Sequence, residues 1–398
     1  MNRFDEIIDR RNTNSEKYDF AAERGKPVDA LPLWVADMDF RAPDEVLDAL
    51  KQAVAHGIFG YSEVKSEYYQ AVAGWFTKFF QWTPREEWLL KTPGVVFAIN
   101  AAIRGLTEEQ DAIMIQTPVY YPFANSIRRN GRVVIENELV YTEGHYEMDF
   151  ADMEAKMKAY HVKMLILCSP HNPVGRVWTR EELLKVADIC LRHHVIMVSD
   201  EIHCDFTYEG HPHTVLASLS EAVANQCVIC TAPSKTFNLA GLQTSNIFIP
   251  NESVRRRVCD AAFYKTGYCE INSLGLVASR AAYEKGEKWL CELKDYLKEN
   301  LEFVRNFLKT RIPQIKLVEP EGTYLVWLDC SGLGLSDSGL EELILQKAKL
   351  WVDAGNMFGN KSGQFERVNI TCPRSVLQKA LEQLEAAVTE NQRKGATS

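Results

Sequence analysis

The chain is short of positive charge. Its 45 lysines and arginines face 54 aspartates and glutamates, for a formal net charge of −9. Such a balance does not suit non-specific nucleic-acid binding, which needs cations against phosphates, and no helix-turn-helix or basic domain is visible. No apolar run approaches the roughly 20 residues that a membrane helix needs. Residues Met1 to Thr13 mix Asp5, Glu6 and Asp9 with Arg3, Arg10 and Arg11 and hold no apolar stretch. No signal peptide is therefore visible, and a cytoplasmic location is expected. Repeats and low-complexity segments are lacking too, apart from a polar tail after Glu390 that should fray. The 10 cysteines are scattered, Cys269 among them, and only Cys227 and Cys230 make a C-x-x-C. That pair lacks both the second ligand pair of a zinc site and a thioredoxin-like context. Buried structural thiols, with no metal, are the expectation. His211 and His213 also lack metal-ligand companions.

What is present is an ordinary globular composition, 46% hydrophobic and 25% charged over 398 residues. The length suits two domains. Short apolar runs (Ala112–Gln116, Val162–Cys168, Val195–Val198, Cys227–Cys230, Asn246–Ile249) alternate with helical patterns. One such helix opens on Thr179 with Glu182 three residues on, a capping box. This rhythm predicts an α/β fold, a mostly parallel sheet between helices. Helices are also expected over Pro43–His56 and Val95–Arg104. The aromatic stretch Trp75–Trp82 reads as packing. The last third predicts a long helix from about Lys288 to Lys309 and a strand over Thr323–Leu328. A helix from Ser338 with Glu341 as capping partner, a strand over Arg367–Thr371 and a final helix near Ser375–Thr389 follow. The expected division is a large α/β domain over 44–287 and a smaller α+β domain from 1–43 and 288–398.

In open parallel sheets, ligands sit beyond the carboxyl ends of the strands. Following the apolar runs stand Tyr120, Asn172, Asp200, His203 and Lys235 in turn. One sheet edge would collect an aromatic ring, an amide, a carboxylate, an imidazole and an amine. Those groups meet the needs of pyridoxal phosphate. A lysine carries it as a Schiff base and must be partly desolvated to be unprotonated. A buried carboxylate must face its pyridine nitrogen, an aromatic face should stack on its ring, and its phosphate wants a helix N-terminus. Lys235, Asp200 and Tyr120 can fill the first three roles, Asn172 can donate to the phenolic oxygen, and Gly94-Val95-Val96 can cradle the phosphate. Tyr121 competes with Tyr120, since only one ring can stack.

The sequence resembles fold-type I pyridoxal phosphate enzymes of the class I/II aminotransferase superfamily, and within it the MalY/PatB-type cystathionine β-lyases. The resemblance covers essentially the whole chain. It rests on Trp34-Val35-Ala36-Asp37-Met38-Asp39-Phe40, Phe59-Gly60-Tyr61, Ser169-Pro170-His171-Asn172-Pro173-Val174-Gly175, Ser199-Asp200-Glu201-Ile202-His203, Ser234-Lys235-Thr236-Phe237-Asn238-Leu239-Ala240-Gly241 and Arg367-Val368-Asn369-Ile370. It implies that Lys235 bonds the cofactor, that Asp200 pairs with the ring nitrogen and that Asn172 contacts the ring hydroxyl. His203 stands where many aminotransferases have a tyrosine. Tyr61 would reach across a homodimer interface to the other subunit's phosphate and substrate. Arg367 would hold the substrate α-carboxylate with its planar fork, with Tyr61, Tyr120 and Asn172 near the substrate. One departure stands out. Gln243 occupies the place of a phosphate-binding arginine, and Ala232 that of a common serine, so phosphate binding should lean on Gly94–Val96, Ser234, Tyr61 and Thr231.

The implied reaction is α,β-elimination from cystathionine or a related thioether or disulfide amino acid, giving a thiol, pyruvate and ammonia. The alternatives are a pyridoxal phosphate aminotransferase, which would use the same residues, and a MalY-like regulatory binding protein. Trp34, Asp37, Tyr61, Met357 and Phe358 are candidates for setting substrate size.

Overall fold

In a computed structural model of the chain, residues 2–267 and 271–395 are described; Cys269 lies outside them. Seven strands form the larger sheet: β1 (Leu89–Thr92), β2 (Ala112–Thr117), β3 (Val133–Glu138), β4 (Met164–Cys168), β5 (Ile196–Asp200), β6 (Cys227–Thr231) and β7 (Ser245–Phe248). Their spatial order is β1-β7-β6-β5-β4-β2-β3. The pairings from β3 across to β6 are parallel, whereas β7 runs antiparallel to both β6 and β1. The chain between β6 and β7 is spent on the loop bearing Ser234 and Lys235 rather than on a crossover helix, so β7 returns in the opposite sense. The apolar runs are unbroken because both faces are covered. Ile113, Ile115, Ile166 and Val228 pack toward one side, with Ala98, Ile99 and Ala102 of helix α3 (Val95–Leu106), introduced here with α1 (Asp44–His56) and α2 (Ser66–Phe80) before it. Met114, Leu165, Met197 and Ile229 pack toward the other, with Leu183 and Val186 of α4 (Arg180–Arg192).

Local signals place several ends where expected. Thr179 and Glu182 close their capping box on α4, and α1 stops at Gly57, whose φ of 75° is the left-handed turn that glycine takes without penalty. Trp75 and Phe76 are buried, as packing requires, but on an unforeseen helix, α2. Cys227 and Cys230 are buried free thiols in β6.

The smaller sheet holds β8 (Lys316–Val318), β9 (Leu325–Asp329), β10 (Asp353–Ala354) and β11 (Phe365–Asn369), in the order β8-β9-β11-β10, all antiparallel. It is flanked by the long helix α6 (Glu287–Arg311), which follows α5 (Ser273–Lys285), and by α7 (Arg374–Gly395). Leu31–Pro32 pairs in parallel with Leu350–Trp351, tying the N-terminal segment to this part of the chain. Four expectations need correcting here. The strand expected from Thr323 starts at Leu325, because Thr323 takes a φ of 67° and turns its hydroxyl onto the Leu325 backbone. The helix expected from Ser338 is capped by Ser336, whose Oγ accepts from Gly339 N at 3.1 Å. The strand expected over Arg367–Thr371 is Phe365–Asn369, and α7 runs on to Gly395, past Glu390, where fraying was expected to begin.

Candidate active site

Loops at the carboxyl ends of β2, β4, β5 and β6 converge on one cavity of about 350 Å3. Tyr120, Asn172, Asp200, His203, Ser234 and Lys235 all line it, and so do Gly94, Val95 and Val96 at the start of α3. Its amine is the most informative group. Lys235 Nζ donates to Ala36 O at 2.8 Å. Burial pulls its pKa down to about 8, with Arg367 adding to the fall and Asp37 and Asp200 opposing it. Asp200 closes β5 and is pushed up to about 7 by burial, against one backbone hydrogen bond from Ile202 N at 3.1 Å and the charge of Lys235. A carboxyl group so placed lacks a cationic partner of its own and is suited to receive one.

Asn172 accepts from Arg367 Nη1 at 3.0 Å through Oδ1, while its amide N–H pair has no acceptor among the described residues. His203 is buried, its Nδ1 unpartnered, and burial together with the nearby Lys235 and Arg367 lowers its pKa to about 3. The imidazole is neutral in the physiological range. Tyr120 lines this cavity, whereas Tyr121 lines another. Helix α3 has no side-chain cap at Gly94, so the N–H groups of Val95 and Val96 are placed to meet an anion.

Arg367 stands behind Asn172. Its Nη2 donates to Trp34 O at 2.9 Å and pairs with the buried carboxylate of Asp353, and its Nε is buried without a partner. Two residues on, Asn369 Nδ2 donates to Val35 O and Asp37 O, both at 2.7 Å. Residues 34–39 thus form a strap across the lysine. Asn238, from the loop that carries Lys235, ties it through Met38 and Phe40.

One site expectation changes. Thr231 spends its hydroxyl on Asn246 O at 2.7 Å and does not line the cavity; Thr244, directly after Gln243, does. Tyr61, expected to serve a second subunit, is 94% exposed and lies outside the cavity of its own chain. Reading by strand ends also missed the clamp under the strap. Arg10 grips Asp37 at 3.1 and 2.6 Å and Asp39 at 2.8 Å, while the fully buried Lys17 meets Asp39 at 2.9 Å. Tyr324 was missed as well; its hydroxyl donates to Ala36 O at 3.0 Å, the carbonyl that also receives Lys235. The surplus of charged residues before Asp37 and Asp39 was the available signal.

The residues fit pyridoxal phosphate: a desolvated amine, a buried carboxyl with only a backbone N–H bonded to it, an amide with spare donors and an uncapped helix start share one cavity. Comparison with known proteins agrees in extent. The aminotransferase class I and II family matches residues 28–384. Cystathionine beta-lyase PatB of Bacillus subtilis (strain 168) is 42% identical over 97% of this chain and 100% of its own length. The crystal structure of cystalysin from Treponema denticola, which contains pyridoxal 5'-phosphate, covers 98% of this chain and 99% of its own at 38% identity and a TM-score of 0.94. The PLP-bound C-S lyase from Staphylococcus hominis covers 97% of each chain at 34% identity and a TM-score of 0.90. Matched along nearly its whole length in sequence and in fold, this chain belongs to the aminotransferase class I and II family.

Proposed function

We propose that the protein is a pyridoxal phosphate-dependent C–S β-lyase, which cleaves cystathionine or a related cysteine S-conjugate to a thiol, pyruvate and ammonia. The observation that carries this reading is the low-pKa amine of Lys235 beside the buried Asp200 in a cavity fronted by a helix start. The names of the full-length relatives support the choice of elimination. Lys235 is the residue to bond the cofactor, Asp200 to hold a proton at its ring nitrogen, Tyr120 to stack on it and Asn172 to donate to its phenolic oxygen. Gly94–Val96, Ser234, Gln243 and Thr244 are placed for its phosphate. When bound, that group draws electrons away from the substrate's α-carbon.

The chain's own groups do the rest. Arg367 binds the α-carboxylate through its unpartnered Nε and orients the Cα–H bond. A lysine amine titrating near 8 is neutral often enough to take that proton and basic enough to return it. His203, held neutral, adds no competing positive charge. The strap excludes water above Lys235. The exposed Tyr61, next to the exposed Phe59 and Ile58, is offered to a second copy of the chain, so the working form is a homodimer sharing its sites. No helix among the described residues is long and apolar enough to cross a membrane.

The test is direct. Purified protein mixed with cystathionine should release pyruvate and homocysteine, and Lys235→Ala should abolish both while leaving the fold intact. Keto acid formation that depends on an added amino donor, without pyruvate, would instead mean an aminotransferase.

A further inference from the structure

Asp200 faces the cavity from the end of β5, and the residue after it faces the other way. Glu201 N still bonds Cys230 O of β6, so the pairing runs on for one residue and sends the two carboxyl groups to opposite sides of the sheet. Glu201 is completely buried. Its Oε1 accepts from Ser199 Oγ at 2.8 Å and from Leu216 N at 3.0 Å, and its Oε2 accepts from His213 Nε2 at 2.9 Å. Three donors around one carboxyl group are the surroundings of a carboxylate, which can only accept. None of these four residues lines the cavity.

The charge on Glu201 has no full counter-ion. Among the described residues no lysine or arginine pairs with it, and its ionisable partner is His213, whose side chain is equally buried. The imidazole must carry a proton on Nε2 to donate, while Nδ1 is buried with nothing to bond. A second proton, on Nδ1, would make a buried N–H without an acceptor, so the ring is neutral. The pair therefore keeps one negative charge in an apolar layer that includes Cys227, whose thiol is pushed up by burial and then by Glu201. On the other side of the sheet, burial is the main force that raises Asp200, and Glu201 adds to it against Ile202 N–H and Lys235. Lys235 is the one lysine or arginine lining the cavity, and it is the residue that bonds the cofactor. Two carboxyl groups back to back thus favour a proton at the point that Asp200 faces.

We infer that Glu201 is a positioning residue that acts through Asp200, a buried charge that helps to keep the cofactor's ring nitrogen protonated, and that a neutral His213 leaves this charge uncancelled. The inference rests on Asp200 facing that nitrogen and holds for elimination and transamination alike.

The test compares the affinity of cofactor-stripped protein for pyridoxal phosphate and for deazapyridoxal phosphate, whose ring carries C–H in place of the nitrogen and takes no proton. The ratio of the two affinities, from fluorescence titrations, reads the held proton apart from every other contact. Asp200→Asn should remove most of the preference for the nitrogen. Glu201→Gln, nearly the same shape, should lower the ratio about tenfold, the equivalent of one pK unit at the ring. His213→Gln keeps a neutral donor and should leave the ratio within about twofold. His213→Lys sets a cation against Glu201 and should lower the ratio as Glu201→Gln does. The two His213 variants decide the question even if Glu201→Gln fails to fold. Equal losses for both cofactors in Glu201→Gln, the mark of a purely structural role, would overturn the inference, as would equal ratios in the two His213 variants. A ratio left unchanged by Asp200→Asn would remove Asp200 from the ring nitrogen and the inference with it. Pyruvate release has no part in this readout, so the lyase reading stands or falls separately.

Discussion

Raising the pH through 8 should switch on the reaction of Lys235 with pyridoxal phosphate in protein stripped of the cofactor. The amine is buried, and burial lowers its pKa from 10.5 to about 8. That difference is on the order of 3 kcal/mol against the charged form. Only the neutral amine attacks a carbonyl. At pH 7 about one amine in ten is then neutral, at pH 8 half, and at pH 9 about nine in ten. A solvated lysine would offer about one in three thousand at pH 7. Stopped-flow absorbance at limiting cofactor, from pH 7 to 10, should show a rate that bends near 8 and is flat above 9. A rate that keeps climbing about tenfold per pH step to 10 would mean an ordinary solvated amine, and the desolvated site described above would be wrong.

The clamp under the strap bears on the same assay. Arg10→Ala removes the nearer of the two cations on Asp37, leaving only Lys17 at 3.7 Å, and since Asp37 already raises the Lys235 pKa, the bend should move above 8; an unmoved bend would uncouple clamp from lysine. Gly275→Ala would place a methyl carbon 2.1 Å from Thr244 Oγ1 and 2.4 Å from Leu242 O, so the loop bearing Gln243 must shift. Cofactor affinity, followed by fluorescence titration, should fall; an unchanged value would show that this loop takes no part. His171 is fully buried, donates through Nε2 to Pro118 O at 2.8 Å, and is held at about 4 by burial. The unfolded chain binds its proton near 6.5, so its share of stability is complete above that pH and is lost as pH falls toward 4. Relative to His171→Asn, the wild type should therefore lose about 2 kcal/mol between pH 7 and 5 in urea titrations, and a constant difference would refute this.

The convergence of Tyr120, Asn172, Asp200 and Lys235 was legible because each directly follows an unbroken apolar run, and a doubly covered parallel sheet forces such runs to end at one edge. What stayed hidden depends on partners distant in the chain. Glu366 and Arg367 are charged and so do not look like strand interior; they are buried because Asp353 pairs with one and a cavity borders the other. Helix α2 was overlooked because its aromatic density, from Trp75 to Phe80, suggests packing but gives no clear polar face. Thr323 reads as a β-branched strand residue, and only its left-handed backbone removes it from β9. Ser336 and Ser338 offer equivalent hydroxyls, and the choice between them is made by which one faces Gly339 N.

Arg367 and Asn369 share one face of β11, one bonded to Asn172 and the other fastening the crosspiece above the lysine. Because side chains alternate along a strand, inserting or deleting a single residue between Phe365 and Arg367 would turn both over together, and one between Arg367 and Asn369 would part them onto opposite faces. The spacing of this short segment is thus fixed twice, by the amide that Arg367 meets and by closure, and neither could drift in sequence without dragging the other with it.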